Sequence, residues 1–400
     1  MRVLVVAHRM ELGGTQVNSI DLANKLRHTT DLDIVFAATP GPAGALARDS
    51  GLEIHPLPDA AGHPSRARVG ALNRLADEVR PDFVHVWDWP QCFDAYPGLH
   101  VGRGIPMLCT EMGMVVPRFI PRHLSTTFGT VELAERARRM RSGPVHLLEP
   151  PVDLEANRPG VVSGADFRTR VGADPDTVLI GMVCRLESWL KMESLQRGIA
   201  AVEDLARTHL VKLVIVGEGS AAEVVARRAA EANARLGREI VVLTGGIVDP
   251  RPAYEAADIM IGMGGSALRA MAFGTPLVVV GQRGFSRVLD DSTLPLFLYK
   301  GWYGLGSGEW EDLAGQLARL INDTVERKQL GKLGLTTVRD RYDLDIAAQT
   351  LEKAYRETAA GPVPRARAVA EGGRTVVLRA ARATQQTGAR IYTNLTKEKP

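Results

Sequence analysis

Of 400 residues, 45% are apolar and 24% charged, with 49 Lys or Arg against 46 Asp or Glu, a composition that excludes disordered, fibrous and membrane-spanning classes and fits a soluble globular protein. The chain is too long for one ordinary core and suits two α/β domains of about 150–200 residues each. The opening Met1-Arg2-Val3-Leu4-Val5-Val6-Ala7 reads as a short buried strand, too brief for the apolar core of a signal peptide, and no later apolar run reaches the roughly 20 residues of a bilayer span. The expected location is the cytoplasm. Cys92, Cys109 and Cys184 are odd in number and far apart, which predicts reduced thiols and no metal site.

Val3 to Ala7 is followed by the glycine turn Glu11-Leu12-Gly13-Gly14-Thr15-Gln16, by a helix with Val17, Ile20, Leu22, Ala23 and Leu26 at helical spacing, and by a strand from Asp31 to Ala37. This is a βαβ opening with glycines at its first βα turn, where open α/β sheets bind ligands. Phe83 to Trp89 and Pro106 to Gly113 read as further strands, with His85, Asp88 and Glu111 as the ionisable groups near their ends. His85 reads as a hydrogen-bonded strand residue, whereas Asp88 and Glu111 are candidates to take a proton from a hydroxyl. Pro117 to Arg122 is a loop with two cations, and Val131 to Arg141 an amphipathic helix. In Val145 to Asp153 the strand is broken by Pro150 and Pro151, which predicts a boundary near residues 155–175.

Thr177 to Val183 opens the second domain, with Arg185 two residues beyond and Lys191 six residues after that. Two cations after a strand can pair with an anion or lie as surface charges. Val211 to Val216 leads into the turn Gly217-Glu218-Gly219-Ser220 and a helix from Ala221 to Leu236; Ile240 to Leu243 leads into the loop Thr244-Gly245-Gly246-Ile247-Val248. The central stretch is Ala257 to Pro276, followed by Leu277-Val278-Val279-Val280. It reads as strand, glycine turn, short helix and buried strand, with Gly264, Gly265 and Ser266 at a helix start that favours anions. Lys300-Gly301-Trp302-Tyr303-Gly304 is either an aromatic wall or loop packing. Trp310 to Asn322 and Ala347 to Thr358 show helical periodicity.

Arg185, Lys191, Gly217-Glu218-Gly219 and above all Ala270-Met271-Ala272-Phe273-Gly274-Thr275-Pro276 resemble the donor-binding half of the family 4 glycosyltransferases (glycosyl transferases group 1). The resemblance implies an α/β protein of the GT-B fold, two Rossmann-like domains facing across a cleft. The implied division is 1–158 as the acceptor-side domain, 175–338 as the nucleotide-sugar-binding domain and 339–358 as a helix returning to the first domain; composition makes 359–400 a basic tail expected to be largely disordered. The resemblance also implies a hexosyltransferase-type enzyme that moves a sugar from a nucleotide-diphosphate donor to an acceptor with retention of configuration. No cofactor and no essential metal are implied. Arg185 and Lys191 clamp the diphosphate, Asp88 and Glu111 are the acceptor-side candidates, and Gly13, Gly14, Gly217, Gly246, Ile247, Gly264, Gly265, Ser266 and Arg269 contact the donor.

The family's two glutamates are replaced here by Ile261 and Arg269, and its histidine before Gly113 by Met112. Arg can only donate where Glu accepts, so Arg269 either binds a further anion or sits in a salt bridge. The alternatives on the same fold are a pseudo-glycosyltransferase, a nucleotide-sugar epimerase and a non-catalytic nucleotide-sugar binder. From Gly361 onward there are 8 Lys or Arg against 2 acidic residues, leaving 41 against 44 elsewhere. That tail reads as a solvated one, with weak peripheral contact with the inner membrane face as the alternative, and no specific nucleic-acid partner is expected. The acceptor class stays open among small molecules, lipid-linked groups and glycans.

Overall fold

The computed structural model describes residues 1–308, 311–361 and 363–378. The chain divides into two compact units, Met1–Glu149 with Ala347–Pro400, and Pro150–Ile346. Each unit is built on one sheet with helices on both faces. The first sheet has seven parallel strands: β1 (Arg2–Val6), β2 (Asp33–Ala38), β3 (Ile54–Pro56), β4 (Phe83–Trp87), β5 (Met107–Glu111), β6 (Ser125–Phe128) and β7 (Val145–Leu147). Their order is β3-β2-β1-β4-β5-β6-β7, so the winding reverses between β1 and β4. The second sheet runs β10-β9-β8-β11-β12-β13 and reverses between β8 and β11. Its members are β8 (Val178–Val183), β9 (Val211–Val216), β10 (Val241–Gly245), β11 (Ile259–Gly262), β12 (Leu277–Val280) and β13 (Ser286–Val288), the last antiparallel.

The central strands are near-continuous Val, Ile and Leu because helices cover both faces of a parallel sheet. Val3, Leu4, Val6 and Phe83 in the first sheet, and Leu213, Val214, Ile215 and Val278 in the second, are fully buried. Six helices matter below: α1 (Gly14–Thr29), α2 (Asp88–Ala95), α3 (Met192–Leu205), α4 (Gly265–Ala272), α5 (Thr324–Arg341) and α6 (Leu344–Ala360).

Several boundaries differ from the sequence reading. β4 stops at Trp87, and Asp88 already opens α2 with φ of 62°, a left-handed conformation at the strand-to-helix corner. The partition falls at Glu149/Pro150, before the 155–175 region. The expected returning helix 339–358 is two helices, since α5 ends at Arg341 and α6 begins at Leu344. The helix expected from Trp310 begins at Leu313, and Trp310 itself lies outside the described residues.

The expected tail at 359–400 requires a correction. Residues 365–378 are helical and pack on the first unit, with Ala368 2% and Thr375 5% exposed. The Tyr96 hydroxyl donates to the Ala368 carbonyl at 2.6 Å. Glu371 accepts from the Arg122 backbone N–H at 3.0 Å and pairs with the Arg122 and Arg374 guanidinium groups. Small residues let this helix lie close, and the polar contacts fix it where periodic apolar residues are few. Residues 379–400 of that expectation lie outside the described ones.

Candidate functional site

In the second unit, Cys184 and Arg185 follow β8 and Gly262 ends β11, the two strands that flank the reversal of strand order. Ligands in open α/β sheets bind at such points. Lys191 ends the loop after β8 and caps α3. Its side chain enters a small cavity lined by Met182, Cys184, Ser194, Ile261 and Met263, among others. Burial lowers its pKa, opposed by the Cys184 sulfur, and the same burial pushes Cys184 up to about 11. Among the described residues no carboxylate pairs with the Lys191 ammonium, and Ser194 is committed to the Gly281 carbonyl at 3.1 Å. A half-buried ammonium without a counter-charge is a place where an anion is favoured.

Arg185 is placed differently, with a side chain 53% exposed and a guanidinium 3.7 Å from Glu187. Its loop is clamped by the turn after β9. The Leu186 N–H donates to the Glu218 carbonyl at 2.9 Å, and a Cβ on Gly217, whose φ is 150°, would lie 1.9 Å from the Cys184 carbonyl oxygen. The Gly217 N–H is spent on Gly245 at 2.9 Å, so this glycine shapes the loop and offers no free donor. Gly246 lies against the Glu218 carboxylate, and Ile247 packs against the apolar cluster that includes Phe167 and Val216.

Gly264, with φ of 59°, caps α4 and donates its N–H to the Trp302 carbonyl at 2.6 Å. Trp302 is 4% exposed and stacks on Phe297 at 5.5 Å, so the aromatic loop is packing. The α4 start leaves the N–H groups of Gly265, Ser266 and Ala267 without intrahelical acceptors. Arg269 folds back along the helix until one of its terminal nitrogens lies 3.4 Å from where a Gly265 Cβ would stand. Among the described residues it makes no ion pair, which leaves the salt-bridge reading without a partner.

In the first unit, Gly13 caps α1 in extended conformation, and space is open around Gly14. Asp88, at the end of β4, is positioned from two sides: His8 Nε2 lies 2.8 Å from Oδ2, and the Met112 N–H donates to Oδ1 at 3.1 Å. Its side chain is 20% exposed. Glu111 is 2% exposed, and burial first and the Asp88 charge second raise its pKa well above the carboxylate range. Its carboxyl accepts from the Cys109 thiol at 3.6 Å. His85 lies deeper, bridging the Tyr355 hydroxyl and Thr110 Oγ1, each at 2.7 Å, and burial lowers its pKa to about 3. It is a neutral structural imidazole.

The structure thus joins Lys191 with Ile261 in one cavity and gathers Gly264, Gly265, Ser266 and Arg269 at one helix start, while Asp88 and Glu111 lie together in the other unit. Sequence reasoning missed His8. Its signal was its place two residues past β1, beside the reversal point.

Two parallel-rich sheets, each with a polar site at its reversal point, define the α/β GT-B fold of two Rossmann-like units. Residues 177–323 match the family model of the glycosyl transferases group 1, so the donor-side resemblance holds over most of the second unit. A search of curated protein sequences finds no match. Among solved structures, HepE (Alr3699) of Anabaena in complex with UDP-glucose is 15% identical, with a TM-score of 0.70 over 89% of this chain and 100% of that one. A glycosyltransferase of Rickettsia africae is 13% identical, with a TM-score of 0.71 over 89% and 98%. The S. aureus MnaA–UDP structure is 13% identical, with a TM-score of 0.63 over 90% and 98%. No helix among the described residues is long and apolar enough to cross a membrane.

Proposed function

We propose that the chain is a glycosyltransferase that takes a sugar from a nucleoside-diphosphate donor. The observation that carries the reading is Lys191, an ammonium held in a cavity beside β8 and β11 with no carboxylate partner. A diphosphate supplies the missing counter-charge, and that charge grows as the glycosidic bond breaks, so the same cation stabilises the departing group. Arg185, on a loop fixed by Gly217 and Glu218, adds a second cation from an exposed position. The UDP complexes of HepE and MnaA support uridine diphosphate as the first donor base to test.

Asp88 is the acceptor-side base in this reading. It is partly exposed, oriented by His8 and the Met112 N–H, and lies beside the buried Glu111 carboxyl, whose pKa burial raises. Sugar identity, hexosyl specificity and retention rest on the family resemblance, and a lipid-linked or glycan acceptor fits as well as a small molecule. No metal is assigned to the reaction.

The test is thermal unfolding with UDP, ADP, GDP, dTDP and inorganic pyrophosphate. A ligand at 100 times its Kd stabilises the folded state by about 2.7 kcal/mol. At least one diphosphate is expected to raise Tm, and Lys191→Met to abolish the rise while leaving the unliganded protein folded. Absence of any shift at saturating concentration would remove the reading.

A further inference from the structure

We propose that the outer side of the helix 365–378 docks on the surface of an anionic lipid bilayer. This surface belongs to the first unit and is independent of the donor reading above. A helix on a protein surface ordinarily turns its apolar residues to the core and its polar ones to water, and this helix is inverted. Its inward side carries Glu371, Arg374 and Thr375, with Ala368 the one buried apolar residue. Glu371 is bonded to Arg122 and Arg374, and the Ala368 carbonyl accepts from the Tyr96 hydroxyl. Polar contacts hold the helix down, and its apolar side chains face away from the unit that anchors it.

That outer side is continuous. Ala366, Val369, Ala370, Gly373, Val376 and Val377 are all exposed, the valines by 54%, 68% and 67%, and their spacings of three, four and seven residues put them along one side of the helix. The two adjacent glycines show the contrast: a Cβ on Gly372 would meet the Tyr96 ring at 3.2 Å, whereas one on Gly373 would meet nothing within 4 Å. The exposed charges of the helix are both cations, Arg365 and Arg367 in its first turn, while Glu371, the only acid in the segment, is turned inward. Arg367 also donates to Ser142 Oγ at 2.8 Å, which brings the helix start beside the last turn of the helix Val131–Met140, where Arg138 and Arg139 are exposed. An apolar stripe bordered by arginines is the make-up of a helix that lies in a bilayer interface, its apolar residues among the acyl chains and its cations on anionic headgroups.

Other occupants fit this face less well. At 1.5 Å per residue the helix is about 21 Å long, and a side about 10 Å wide gives on the order of 200 Å². A stable protein interface buries about 800 Å² on each partner, and a second copy would set arginine borders against arginine borders. Nucleic acids attract cations but are read by aromatic, amide and hydroxyl side chains, and the stripe offers none of these. A bilayer accepts a shallow apolar insertion of small area and supplies the phosphate charge that the arginines lack.

The experiment sediments the full chain with vesicles of phosphatidylcholine, either pure or mixed with phosphatidylglycerol. Binding is expected to the mixed vesicles only, and to weaken as salt rises. The combined variant Val369→Ser, Val376→Ser and Val377→Ser is expected to lose roughly tenfold or more in vesicle affinity while keeping the parental Tm, because all three side chains are exposed. Arg365→Gln should weaken binding about fivefold. In Val377→Trp the added fluorescence should shift to the blue on mixed vesicles and be quenched by brominated acyl chains. The pyrophosphate shift of Tm should be the same in every variant, so the donor reading stands or falls separately. No binding to mixed vesicles overturns the proposal. So does binding that the serine variant retains, which would place the contact on another basic surface, or Val377→Trp emission that brominated lipid leaves unchanged. A parent that dimerises without binding vesicles, and a serine variant that stays monomeric, would give the face to a second copy and overturn it as well.

Discussion

Asp88 stands just past β4 and Glu111 ends the neighbouring β5, and both looked equally able to accept a proton from the sequence. Their surroundings separate them. Glu111 is sealed in, and burial raises its pKa and disfavours the carboxylate form, whereas Asp88 keeps some access to solvent and two orienting partners. Asp88→Asn is expected to lower turnover by about 10²–10⁴, the range of a lost general base, with UDP binding unchanged. Glu111→Gln should keep parental turnover at neutral pH. Because the folded pKa of Glu111 lies above its unfolded value near 4.5, its contribution to stability is fully present below about pH 4.5 and fades as pH rises through the folded value. Stability against pH should be flatter in Glu111→Gln, and unfolding curves from pH 4 to 9 measure this. A full-speed Asp88→Asn enzyme would remove that residue from the mechanism. Burial is a tertiary property, so the sequence could supply the two candidates but not tell them apart; the single histidine at position 8 carried no motif at all.

The elements that were legible are those whose pattern is local. The run from Asp258 to Val280 declares strand, turn, helix and strand through apolar runs and glycines, and each element lies where that reading put it. Helix α5 went unread because its charged residues are distributed all round, and its docking depends on residues with no side chain. A Cβ on Gly331 would stand 2.0 Å from the Gly274 carbonyl oxygen, and Gly334 lies over Met271. Helix α5 thereby braces α4, the helix that carries Ser266 and Arg269. Gly331→Ala is expected to cost about 1–3 kcal/mol through overpacking and to lower Tm by several degrees. An unchanged Tm would mean that α5 shifts freely and does not brace the site. The 365–378 helix escaped detection for a related reason. Ala, Gly and Arg give it little apolar rhythm, and its anchors, Tyr96 and Arg122, lie more than two hundred positions earlier.

At the scale of the whole molecule, the first unit is discontinuous in sequence and the second is not. Two domains were evident from length alone, but a partition that returns the last segment to the first unit was visible only through the resemblance. Tyr355, fully buried, packs on Phe83 with ring centres 5.0 Å apart and bonds His85 at 2.7 Å. The core around β4 is therefore incomplete without residues encoded far downstream. A fragment of residues 150–346 is expected to unfold cooperatively and to keep the pyrophosphate shift. A fragment of residues 1–149 should lack a cooperative transition and gain one when residues 347–378 are appended through a short linker. Cooperative melting of 1–149 alone would show that the late segment is an accessory.

The Tyr355 contact also orders events during synthesis. Roughly 200 residues must be made between Glu149 and the arrival of α6, which at about 5–20 residues per second occupies on the order of 10–40 s on the ribosome. Throughout that interval the nascent β4 strand lacks its aromatic cover, while the middle of the chain emerges with everything it needs to close. The half translated first is thus the half completed last, and its exposed strands are the natural client surface for chaperones that hold unfinished chains.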